Sequence, residues 1–112
     1  MKFADVRRCA MACPEVSEQP HFQFTSFRVR GKIFATAPPD QEHLHLFVAD
    51  DVREQALAMH PQWAHTLLWG SKVVGLRVEL SAAEPAVVRQ WIQQAWAHKA
   101  PRALLRQGDP PR

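Results

Sequence analysis

The stretch SFRVRGKIFA, residues 26–35, sets Arg28, Arg30 and Lys32 at every second position among Phe, Val, Ile and Ala. Cations so placed suit one chemistry in particular, the neutralisation of phosphate oxygens with release of condensed counterions. Lys72 and Arg77 lie in a second strand-like segment, with Trp69 three residues before Lys72. An exposed indole beside an ammonium is suited to stacking a base and holding a phosphate on a single-stranded or distorted nucleic acid. A buried Trp69 would instead cap the end of a sheet, and burial is the expectation, because Trp is mostly buried in folded proteins. Phosphate contacts position a protein without reading bases, so these residues name no nucleic-acid sequence. The same five cations also fit the solvated rims of two hairpins, with the Lys32 stem packed over Phe27 or Phe34.

Other reactive side chains carry less. His43 and His45 are two apart on one predicted strand face, near Asp40 and Glu42, but no third ligand completes a metal site. A solvent-facing histidine pair is the expectation, with no metal and no cofactor. His60 and His65 flank Trp63, yet no Ser or Cys is spaced with a base and an orienting acid, so no enzymatic activity is expected. Cys9 and Cys13 are four apart on a predicted helix, where disulfide geometry is hard to reach, and read as reduced thiols acting as small apolar groups.

With 112 residues, 46% hydrophobic and 22% charged, the chain reads as one globular domain, 1–112, that folds by burying a core. No apolar run nears the roughly 18 residues of a membrane helix, and Met1 leads into a polar helical pattern without a signal-peptide core. A cytoplasmic protein without membrane contact is expected. The formal charge of +3 is unevenly spread. Between Ile33 and Ser71 the acids Asp40, Glu42, Asp50, Asp51 and Glu54 meet only Arg53, so the basic excess falls on the two hairpin segments and on Lys99, Arg102, Arg106 and Arg112.

Positioning these side chains requires the following elements. Phe3, Val6, Ala10 and Cys13 keep helical spacing up to Pro14. After a polar loop around Glu15 to Gln19, residues 21–36 read as strands around an Arg30-Gly31 turn, with Val29 opposite Lys32, Arg28 opposite Ile33 and Phe27 opposite Phe34. His43 to Val48 alternates as a strand, with Leu44 and Leu46 on one face and His43, His45 and Phe47 on the other. Asp51 and Glu54 resemble a helix start, and that helix ends before Pro61. Leu67 to Trp69 and Lys72 to Leu80 form a second hairpin around Gly70-Ser71, with Val74, Leu76, Val78 and Leu80 facing one way. Pro85 opens the longest helix, whose stripe is Val88, Trp91, Ile92, Ala95 and Trp96. Pro101 ends it, a helical turn through Leu104 and Leu105 follows, and residues 108–112 are expected to fray. The order α-β-β-β-β-α-β-β-α is that of a two-layer α+β domain, an antiparallel sheet with helices on one face.

The segments CPEVSEQPHF and SFRVRGKIFAT, a WG-containing segment, and VVGLRVEL leading into a Trp-rich helix together resemble the MmcQ/YjbR family of small bacterial proteins over nearly the whole chain. FRVRGKIFA is the most specific piece. The resemblance implies a compact α+β fold shaped like type III secretion chaperones, and DNA binding by a double wing of hairpins without established catalytic residues. On it, the hairpins at Arg30-Gly31 and Gly70-Ser71 correspond to the two wings, so Arg28, Arg30, Lys32, Lys72, Arg77 and Trp69 are the expected DNA contacts. Where the family often has Gly-Trp in the second wing, this chain has Val74-Gly75. The alternative from another class is a protein-interaction module using an open sheet face or a homodimer, marked by an exposed apolar patch.

Overall fold

The computed structural model describes residues 1–107, in the order α1 (Phe3–Met11), β1 (Val16–His21), β2 (Phe24–Val29), β3 (Lys32–Ala37), β4 (His43–Leu46), α2 (Asp50–Met59), β5 (Ala64–Trp69), β6 (Lys72–Glu79), α3 (Pro85–Lys99) and α4 (Arg102–Gln107). This is the expected mixed order, and the fraying expected at 108–112 lies outside the described residues. The six strands form one antiparallel sheet in the order β1-β2-β3-β4-β6-β5.

The helices follow their sequence signals closely. Pro85 occupies the first turn of α3, where its missing N–H costs nothing, and the predicted five-residue stripe is buried. Pro101 ends it, and the indole N–H of Trp96 donates to the Pro14 carbonyl at 3.0 Å, tying α3 to the end of α1. Phe3, Val6 and Ala10 are the buried face of α1, while Cys9 and Cys13, both free thiols, pack half-buried at the edge of the core. The start of α2 differs from expectation. Its cap is Ala49 in an extended conformation, so Asp50 and Asp51 both lie in the first turn, where they favour the positive end of the helix dipole without capping it.

One contiguous core joins Phe27, Val29, Leu44, Leu46, Leu76 and Val78 of the sheet to the stripes of α1 and α3, Ala56 of α2 and Leu104 of α4. Four strand details depart from the reading of the sequence. The polar segment before His21 is not a loop: Val16–His21 is the edge strand β1, and its Pro20 is tolerated because an edge strand leaves some N–H positions unpaired. Phe27 faces Ala35, not Phe34, because the register shifts and Phe34 becomes an extra residue in β3. The small Ala35 there leaves space for Phe3, whose ring lies 6.3 Å from that of Phe27. A matching shift makes Val74 the extra residue of β6, so the predicted alternation holds from Leu76 to Leu80 but breaks at Val74. Both hairpins therefore carry a bulge just below the tip, which raises their local twist. β4 is shorter than expected and ends at Leu46, although the Phe47 N–H still donates to the Phe34 carbonyl at 3.0 Å, one step further along the β3–β4 register.

Candidate functional site

The strand order and pairing fix where the two turns point. β2, β4 and β5 run one way and β1, β3 and β6 the other, so the Arg30-Gly31 and Gly70-Ser71 turns project from the same end of the sheet. Between them stands only β4, which stops at Leu46. Arg30 (φ 47°) and Gly31 (φ 83°) both adopt the left-handed region, as a tight hairpin turn matched to strand twist requires.

On the face away from the core, Ser26, Thr36, His45, Arg77 and His65 stand in one cross-strand row. A groove of about 740 Å³ crosses this face, and its lining extends from the β1–β2 turn to the inner side of the second hairpin and the end of α3. Phe22, Phe24, Phe47 and Trp69 are among its aromatic side chains, and Arg53, Lys72, Arg77 and Lys99 are its Lys and Arg cations. Asp50 is the one carboxylate in the lining, and Arg53 holds it at 2.8 Å. Among the described residues, Lys32, Lys72, Arg77 and Lys99 have no carboxylate within ion-pair distance.

His45 contradicts the solvent-facing pair expected from the sequence. It is only 7% exposed, with Nδ1 3.5 Å from Thr36 Oγ1 and Nε2 3.4 Å from the Arg77 guanidinium. A neutral ring with its proton on Nδ1 satisfies both contacts, donating to Thr36 and accepting from Arg77. Burial first, and the Arg77 charge second, push its pKa down to about 4. His43 instead contacts the Asp40 carboxylate at 3.0 Å. Among the described residues no three His, Cys, Asp or Glu side chains gather as metal ligands, and no helix is long and apolar enough to cross a membrane.

The six residues singled out in the sequence divide into two groups. Lys72, Arg77 and Trp69 line the groove. Arg28, Arg30 and Lys32 belong to the first hairpin and lie outside the lining. Arg28 donates from Nε to Ser26 Oγ at 3.1 Å, and Lys32 is exposed beside the tip. Arg30 is engaged bidentately by Glu15, at 3.1 and 3.0 Å, and that hydrogen bonding holds the Glu15 carboxyl below its ordinary range. Trp69 corrects the expectation of burial. It is 64% exposed at the end of the edge strand β5, where Phe47 meets it edge-on with ring centroids 5.8 Å apart.

Several groove residues were not singled out in the sequence, among them Phe22, Phe24, Phe47, Arg53 and Lys99. Phe24 lies 5.9 Å from the His45 ring. Phe22 occupies the β1–β2 turn at φ 57° and is 92% exposed. A bulky aromatic is disfavoured on both counts, and such outliers gather at functional sites. The signal available was HFQF itself, two aromatics around a turn that holds no Gly or Asn.

A family model described as YjbR matches residues 11–98. No curated protein matches the chain. Among solved structures, the crystal structure of the Deinococcus radiodurans protein DR2400, with family-model domain DUF419, is similar over 95% of this chain and 86% of that one, at a TM-score of 0.78 and 17% identity. At that identity the likeness is one of fold.

Proposed function

The chain belongs to the YjbR family, and on that premise we propose that it is a non-catalytic DNA-binding protein whose two hairpins hold phosphates. The observation that carries this reading is the pair of hairpins projecting from one end of the sheet beside a groove in which Lys72, Arg77 and Lys99 have no acid partners among the described residues. Lys32 at the first tip and Lys72 and Arg77 on the second hairpin make the phosphate contacts, and Arg28 supports the first wing. A cytoplasmic setting goes with this reading.

Fluorescence-anisotropy titration of labelled DNA over a series of salt concentrations tests the proposal. Changing Lys32, Lys72 and Arg77 together to alanine is expected to flatten the dependence of log affinity on log salt by roughly 0.9 per lost duplex contact. Glu15→Gln is expected to act in the opposite sense, because it frees the Arg30 guanidinium for one further phosphate. Failure of the wild type to bind either duplex or single strand at low salt would remove the reading.

One observation favours a second reading, a protein-interaction module: Phe22, Leu68, Trp69 and Val73 are large apolar side chains left exposed. That reading expects a homodimer at micromolar concentration that Trp69→Asp dissolves, as followed by light scattering. A strictly monomeric wild type would count against the homodimer.

A further inference from the structure

Resting on the nucleic-acid reading above, we propose that the ligand of the groove is an unpaired single strand, one base stacked on Trp69 and phosphates held by Lys72 and Arg77. A duplex hides the faces of its bases, so it has no use for an exposed indole backed by Phe47 or for the aromatic surface of Phe24 on the same groove. A duplex laid across the tips meets few cations, since Arg30 is already engaged by Glu15 and only Lys32 and Lys72 remain at the turns. An unpaired strand inside the groove meets more. Trp69 lies directly opposite Lys72 in the β5–β6 ladder, which sets a stacking face beside a phosphate ligand. Arg77 stands further along β6, roughly 15 Å from Lys72 at the ordinary rise of a strand. One chain reaches both only by running along the groove.

The charge of the lining fits that occupant. Its single carboxylate, Asp50, is held by Arg53, and Arg77 is half-buried against a neutral imidazole with no acid partner among the described residues. At the far end, the exposed Phe22 ring offers a second stacking face at the mouth of the groove.

The test compares a labelled thymidine oligomer of about 15 nucleotides with a duplex of the same length, using wild type, Trp69→Ala, Trp69→Phe and Arg77→Ala. The single strand is expected to bind more tightly than the duplex. Trp69→Ala is expected to weaken single-strand binding by about tenfold without changing the salt slope, and Trp69→Phe to restore most of it. Arg77→Ala is expected to reduce the single-strand salt slope by roughly 0.7. Trp69 is exposed, so its substitution leaves the core intact. Duplex binding as tight as single-strand binding, or indifference to Trp69→Ala, overturns this proposal and leaves the phosphate reading standing. No binding to either probe overturns both.

Discussion

Gly75→Ala is expected to lower the stability of the fold by about 3 kcal/mol, at the upper end of what overpacking ordinarily costs. Gly75 lies in β6 one residue past the bulge at Val74, opposite Leu67, where the chain leaving β4 passes close overhead. A β-carbon there would fall onto the carbonyl oxygen of Leu46, with the Leu46 carbonyl carbon at 3.2 Å and the Phe47 Cα at 3.4 Å. The obstacle is backbone on a central pair of strands, so no rotamer change relieves it. The β4–β6 ladder must shift, and Phe47, which supports Trp69, shifts with it. A fall in melting temperature of roughly 10–15 °C is the expected reading for a domain of this size. Trp69 should also lose its edge-on contact, visible as a changed near-ultraviolet circular dichroism signal. A variant as stable as wild type would show that the two strands are not held as closely as described.

The parts of this arrangement that were legible in the sequence are those set by neighbours in the chain. The α3 stripe follows from three- and four-residue spacing between Pro85 and Pro101, and both hairpin tips follow from Arg30-Gly31 and Gly70-Ser71. The illegible parts depend on which distant segments meet. Trp69 stands on an edge strand because β6, not β5, pairs with β4, a consequence of strand order that no local pattern carries. Arg30 loses its availability to Glu15, 15 positions earlier, through a pairing that needs β1 to be a strand. That strand was hidden because an edge strand of polar residues with Pro20 lacks the apolar alternation by which strands are recognised. The bulges at Phe34 and Val74 were hidden as well, since one extra residue changes pairing without changing composition. The grouping of Lys72, Arg77 and Trp69 followed from the hairpin and the family resemblance, whereas the separation of Arg28, Arg30 and Lys32 from the groove required the whole sheet.

Acidification from pH 7 to pH 4.5 is expected to destabilise the wild type by about 2.5 kcal/mol more than His45→Gln, a neutral variant at the same position. The sign follows from which state binds the proton. In the unfolded chain the imidazole titrates near its ordinary value of 6.5, while in the fold burial and Arg77 push it down to about 4. Between those values the unfolded state carries a proton that the native state refuses, so stability is complete above pH 6.5 and is lost as pH falls through 4. Stopping at pH 4.5 avoids most of the loss from Asp40 and Glu15, whose carboxyls are held below their ordinary range by hydrogen bonds from the Glu42 N–H and from Arg30 respectively. Urea midpoints of both proteins across this window give the comparison, and a constant difference between them would rule out a buried neutral His45. The consequence reaches the groove directly. A proton on His45 would place a second cation 3.4 Å from Arg77 and end the acceptance of its N–H by Nε2, so this contact, which holds Arg77 in the groove, exists only while the imidazole stays neutral.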